Sequence, residues 1–452
     1  MTMIDLFRNK MPMSCLLRGL LERCFSADRL DELFKRNAQE QYTLNLLFST
    51  TCDLLLHTVL RVHPSIHAAY QARAHELNVS ASALYDKLKG VEIGVSAALV
   101  RETAADLAQI QDALGVKRES WLPGYDLRIL DGNCLEASEK RLQVHRGVSG
   151  APLPGKSLVV MDPQRRLLVD VFPCEDGHAQ ERSLLDAVLS TVQEGELWLA
   201  DRHFCTRGFL QGVHERGGYV LLRQHGGLPY DALSPWGEPV ATEEGQQIRE
   251  QRIEVDGRRY RRIRVDLVRP TRDGDAWIEL ISDLPDTISA ATLAALYRKR
   301  WTLETAFQHL ESHLASEINT LAYPRAALFG FCLALVAYNV FQVALTALDS
   351  VHPEPVSPMI STYYVGHEIA ATFLALLMLS EADDWRFLGR LSAAEFAHWL
   401  RDVALRVNLK QYQKHSRGPK KPREKTAYDP KHPHVSTQRL LQQARANQTG
   451  AD

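Results

Sequence analysis

Three carboxylates in this chain stand where chemistry could be done. Asp131 ends the apolar run DLRILD (Asp126–Asp131) and is followed by Gly132, where the backbone is expected to turn. Asp201 ends LWLAD (Leu197–Asp201) and is followed by Arg202 and His203. An acid at the end of a buried strand is exposed at the sheet edge on a rigid backbone, which suits a hard cation. Taken singly, either Asp could equally be a turn former or a cap. Glu304 lies in LAALYRKRWTLETAFQHLESHL (Leu293–Leu314), whose spacing predicts one helix with two faces. At about 100° per residue, Leu296, Leu303, Phe307, Leu310 and Leu314 share a stripe, and Tyr297, Arg300, Glu304 and Glu311 lie beside it. Alone, that polar arc reads as an ion pair on an amphipathic helix. With Asp131 and Asp201 it becomes a set of acids that repel one another unless cations neutralise them. Mg²⁺ takes one or two protein carboxylates and keeps positions for phosphate oxygens. Two such ions could activate a hydroxyl and stabilise the leaving oxygen in an in-line displacement at phosphorus.

The elements that must position these acids follow from the hydrophobic period. Residues 1 to about 115 read as all-helical, with apolar runs such as Leu44–Leu60. Within them His75–Gly90 resembles the turn and second helix of a helix-turn-helix, with Ser80 as cap and Leu84 and Leu88 on the buried face. Any capped amphipathic helix would look the same. From Tyr125 the period changes to that of short strands: Asp126–Asp131, Ser157–Asp162 and Arg166–Phe172. A helix over Ala179–Val192, the strand Leu197–Asp201, a helix near Arg207–Arg216 and the strand Tyr219–Arg223 follow, a mixed α/β order. Ile248–Val255, the Asp256-Gly257 turn and Arg259–Val268 predict a hairpin, and Trp277–Ser282 another strand. This hairpin and its exit carry Arg258, Arg259, Arg261, Arg262, Arg264 and Arg269, either a solvated strand face or a phosphate-contacting surface. Ala326–Leu348 is long enough to span a bilayer, but Asn339, Gln342 and Thr346 within it favour a buried helix.

Composition narrows the class. The chain has 452 residues, a net charge of −2 and seven scattered cysteines without a Cys-x-x-Cys pair. That cysteine pattern suggests reduced thiols and a cytoplasmic home. The near-neutral total hides ten Lys or Arg between Lys410 and Arg445 against Glu424 and Asp429, a local charge of about +8. Such a tail suits an anionic partner and is expected to be disordered until bound. Gly150–Ser157 matches the letters of a phosphate-binding P-loop, but its Lys-Ser opens an apolar strand, and Pro152 and Pro154 remove amides that should cradle phosphate. No nucleotide cofactor is expected. His63 and His67 have helical spacing, but Pro64 pushes His63 out of a helix, and Cys134 and Cys205 read as small buried apolar groups.

On these residues the chain resembles the DDE transposases of bacterial insertion sequences, specifically the IS-four type. RILDGNCLEASEKRL matches the family's first acid at Asp131, LWLADRHFCT its second at Asp201, and the Tyr-x2-Arg-x3-Glu signature falls on Tyr297, Arg300 and Glu304. The resemblance runs from about Leu127 to Asn339 and extends to the basic tail. It departs at Glu311, where the family usually has a Lys. It implies a ribonuclease-H-like catalytic core with a β-rich insertion, flanked by an all-helical N-terminal domain and a disordered basic C-terminal tail. The expected divisions are residues 1–120, helical and possibly recognising DNA ends; 121–223, the first part of the core; 224–285, the insertion; 286–409, the rest of the core; and 410–452, the tail. The resemblance further implies Mg²⁺-dependent cleavage of double-stranded DNA at element ends and strand transfer into target DNA, with Mn²⁺ able to substitute. Tyr297 and Arg300 would position DNA phosphate. A homodimer on DNA, in the bacterial cytoplasm and nucleoid rather than at a membrane, is the expected working form. The competing readings are an inactive or domesticated DNA-binding protein and a metal-dependent DNA nuclease that cleaves without joining.

Overall fold

In the computed structural model the described residues are 3–41, 46–136, 138–242, 245–271, 274–379, 382–415 and 434–449. The architecture is mixed α/β, with a helical N-terminal region packed against a central sheet. The strands that matter are β1 (Asp126–Cys134), β2 (Lys156–Asp162), β3 (Leu167–Cys174), β4 (Glu196–Ala200), β5 (Tyr219–Arg223), β6 (Gln247–Val255), β7 (Arg258–Asp266) and β8 (Trp277–Ser282). They lie in the order β3-β2-β1-β4-β5-β8-β7-β6. The first three strands pair antiparallel, and β1, β4 and β5 run parallel. Three strands, helix, strand, helix, strand is the order expected from sequence.

Both faces of this sheet are covered, which is why its strands read as near-continuous apolar runs. Ile129, Leu197, Leu199 and Leu221 point into the larger core, which is shared with the N-terminal helices and the Pro324–Asp349 helix. Leu130, Trp198, Ala200, Val220 and Leu222 point into a smaller core against the Leu185–Leu189 and Arg207–Glu215 helices. The helix expected over Ala179–Val192 is shorter, a 3-10 turn at Glu181–Leu184 followed by Leu185–Leu189.

The Pro324–Asp349 helix is long and apolar enough to cross a membrane, yet the whole of its apolar window is buried inside the fold. Its polar residues explain the choice. Asn339 accepts from the Leu168 amide and donates to the Leu168 carbonyl, both at 2.8 Å, clamping the helix to β3. Such a fully satisfied buried amide fixes one register where an apolar contact would permit several. In the N-terminal region Ser80 caps Ala81–Gly90 through the Ala83 amide, and Leu84 and Leu88 are buried, as read from sequence.

The hairpin turns through Asp256 and Gly257 at φ 49° and 77°, the paired positive values of a type I′ turn. It is not a separate module. Strand β8 lies antiparallel to β5, with Leu221 opposite Ser282, so residues 224–285 extend the central sheet. Nor are its arginines mainly a free basic surface. Arg258 pairs with Asp283, Arg261 with Glu250, Arg262 with Glu279 and Arg264 with Asp266. Arg262 is also sandwiched at 4.7 Å from Tyr230 and 4.8 Å from Trp236.

Part of the basic tail departs from expectation too. Residues 416–433 lie outside the described residues. Residues 434–449, expected to be disordered, form a two-residue strand that pairs parallel with Pro152–Leu153, then the Thr437–Thr449 helix. Asp176 anchors the segment by accepting from Ser436 and Arg439, and Thr437 is buried beside His145. Too few apolar residues suggested disorder; polar contacts to the core supply the order instead.

Candidate active site

The register of two parallel strands brings the first two acids together. Leu130 is opposite Ala200, so Asp131 and Asp201 are the next residues on adjacent strands, which lie about 4.8 Å apart. Since side chains alternate along a strand, Asp131 points to the same side as Ile129, into the face where the Trp301–His313 helix packs. Asp201 caps the 3-10 turn Arg202–Phe204, with its carbonyl accepting from the Phe204 amide. Asp131 does not end its strand. β1 continues through Gly132, opposite Leu158, to Cys134. Gly132 serves close approach rather than a turn: a Cβ there would stand 2.2 Å from the Glu181 Oε1.

The helix expected over Leu293–Leu314 is two helices, Ala290–Arg298 and Trp301–His313. At the junction the bonds shorten to the i−3 type, Lys299 to Leu296 and Arg300 to Tyr297, both at 3.0 Å. This tightened turn carries Arg300 inward, where only 5% of it remains exposed. Its guanidinium donates to Asp131 Oδ2 at 2.5 Å and to Glu304 Oε1 at 3.4 Å. Arg300 Nε is buried without an acceptor among the described residues. Tyr297, also 5% exposed, lies against the same guanidinium. Trp301, 59% exposed, covers it from outside at 5.7 Å.

The electrostatics follow from that crowding. Burial raises the proton affinity of the Asp131 carboxyl; Arg300 opposes the rise and Asp201 adds to it. Glu304 is raised in the same way, by burial first, with Arg300 opposing and Asp131 and Asp201 adding. Burial works against the charge on Arg300, but the three acids around it more than offset that and leave the guanidinium more basic than usual. Burial also raises the Tyr297 phenol, keeping it a neutral hydroxyl.

The structure thus gathers Asp131, Asp201 and Glu304 around Arg300, and puts Tyr297 beside it. Neither Tyr297 nor Arg300 presents an open phosphate-binding surface in this state. Glu311 is exposed on the far turn of the same helix. Glu181 was not singled out by sequence reading. Burial raises its proton affinity, and Asp131 and Asp201 add to that rise, so a fourth carboxylate borders the site. Only a Gly directly after Asp131 hinted at such a neighbour.

The donor set, hard carboxylate oxygens in mutual repulsion, fits a divalent cation in chemistry. It is not arranged as a metal cage: among the described residues no group of three or more His, Cys, Asp or Glu is placed to hold an ion. The cation between Asp131 and Glu304 is Arg300. In the P-loop-like stretch Lys156 opens the strand β2, where a P-loop would begin a helix.

Residues 123–340 match the family model described as transposase DDE domain. The match contains all three acids and supports a transposase of the DDE type. No curated protein matches the chain. Among solved structures, the chain is similar to a piggyBac transposase synaptic complex with hairpin DNA, at 11% identity and a TM-score of 0.41, covering 92% of this chain and 88% of that one.

Proposed function

We propose that this chain is a DNA transposase whose reacting centre is Asp131, Asp201 and Glu304. The observation that carries the reading is the convergence of these acids: two on adjacent parallel strands in register, the third on a helix whose Arg300 reaches back to the first. The strand order β3-β2-β1-β4-β5 supports a ribonuclease-H-like core, to which β6, β7 and β8 are added at one edge. The substrate is double-stranded DNA, cleaved at the ends of a mobile element and joined to a target. The IS-four type is favoured by the spacing of Tyr297, Arg300 and Glu304.

The acids would hold Mg²⁺, or Mn²⁺ in its place. When bound, such ions supply Lewis acidity at phosphorus and a deprotonated oxygen nucleophile. The chain itself supplies the rest. Strand β1 and the end of β4 set the backbones of Asp131 and Asp201 side by side at one level. The buried phenol of Tyr297 offers a neutral hydrogen-bond donor, and Arg300 a planar fork suited to a phosphate. Binding both element ends suggests a homodimer on DNA in the bacterial cytoplasm.

The test is strand nicking and joining on labelled element ends, identified from the inverted repeats flanking the gene, with Mg²⁺ or Mn²⁺. Asp131→Asn, Asp201→Asn and Glu304→Gln should each lower the rate by about 10³-fold or more, roughly 4 kcal/mol of barrier. Wild-type rates in any of the three would remove that residue from the centre. Hydrolysed ends with no joined product would favour a nuclease instead.

A further inference from the structure

We propose that Arg300 is the resident counter-ion of the DNA-free site, and that a DNA phosphate must draw it away before the acids accept a divalent cation. This rests on the reading of Asp131, Asp201 and Glu304 given above and adds an order of events to it. The guanidinium lies between Asp131 and Glu304, two of the acids that would hold the ion, and takes up their oxygens. A guanidinium and a divalent ion cannot share that position, because like charges at contact distance in a buried site repel strongly.

Three features make the exchange workable. Among the described residues none accepts from the buried Arg300 Nε, so the guanidinium is only partly satisfied where it is. A phosphate accepts two parallel N–H bonds from such a fork and would satisfy it more fully. The residue also sits at the junction of two helices, where a change of backbone torsion disturbs neither helix interior. Trp301, 59% exposed and over the guanidinium at 5.7 Å, is the cover that must give way on the solvent side. The consequence is a coupling between sites: DNA and metal each raise the affinity for the other by the same factor.

Mn²⁺ binding to the full-length protein, followed by loss of the free-ion electron paramagnetic resonance signal, tests this without any turnover. Without DNA, Arg300→Gln should bind Mn²⁺ about ten-fold or more tightly than wild type, with Arg300→Lys close to wild type. Equal or weaker binding by Arg300→Gln would overturn the proposal. Adding Asp131→Asn to Arg300→Gln should abolish the gain; if it does not, the ion is elsewhere and the assignment of the acids fails instead. Should Arg300→Gln not fold, the wild type decides. A short DNA duplex should raise its Mn²⁺ affinity beyond the binding of the duplex alone, and absence of that coupling would equally sink the idea.

Discussion

Two parts of the same sheet use arginine and carboxylate in opposite ways. On the hairpin side most arginines are matched by acids: Arg252 and Arg261 share Glu250 and Asp286, while Arg258 pairs with Asp283, Arg262 with Glu279 and Arg264 with Asp266. At the junction of β1 and β4 one arginine serves a group of acids, bonding Asp131 and Glu304 while Asp201 adds to the negative charge around it. Matched pairs stabilise a fold and leave nothing over for a ligand. An excess of acid costs stability and is retained where a cation or substrate will later complete it. The surplus of charge, rather than its amount, distinguishes the site from the scaffold.

That contrast can be broken experimentally, and the largest effect is expected on the scaffold side. Arg261 is 4% exposed and bonds Glu250 as well as the carbonyls of Pro285 and Ile288. Arg261→Ala should destabilise the protein by about 3–5 kcal/mol, because it strands a partly buried acid and two carbonyls. A loss under about 1 kcal/mol in a denaturant titration would mean that the hairpin pairs are decorative.

Next comes Glu317, whose carboxyl burial pushes up to about 7 from an ordinary 4.5 while it accepts from the Glu136 amide. Between those values the folded state keeps a proton that the unfolded chain releases. The protonated form therefore contributes stability that is full below about 4.5 and lost as pH rises through about 7. Glu317→Gln should match wild type in acid and exceed it by about 1–2 kcal/mol above neutrality. Parallel stability curves would place this acid in the matched class.

Neutralising an acid of the site should stabilise it, the reverse of the scaffold. Burial raises the proton affinity of Asp131 despite Arg300, so Asp131→Asn should be at least as stable as wild type in a denaturant titration while activity is lost. A destabilised Asp131→Asn would show that Arg300 balances the site fully. Smallest of all, Arg259 is exposed, and Arg259→Ala should change stability by less than about 0.5 kcal/mol. If it nevertheless flattened the salt dependence of DNA binding, this arginine would belong to a phosphate-contacting surface after all.

Local patterns were legible in the sequence and remote partners were not. Trp277–Ser282 was read to the residue, because a short run rich in apolar and aromatic residues between turn formers is a property of the segment itself. That β8 would lie beside β5 depended on which sheet edge was open, information held by other residues. The acids Asp131, Asp201 and Glu304 stood out from their strand and helix contexts; strand register sets the first two side by side, while Glu304 joins them only through the tertiary packing of its helix. The break at Lys299 and Arg300 was invisible to periodicity, since one tight turn scarcely alters the 3.6-residue phase. Glu181 was equally silent, reaching Gly132 across the end of the sheet.

The return of the Thr437–Thr449 segment has a kinetic side. Its bonds to Asp176 and His145 join residues 260 and 292 positions apart in the chain. Closing so long a loop brings a large entropy loss for a few polar contacts, so they form late and open early. Amide exchange should accordingly reach Val435, whose N–H donates to the Ala151 carbonyl, well before it reaches β1 or β4. The stretch Ala151–Leu153 would then ripen last, after the acids have already been set in register.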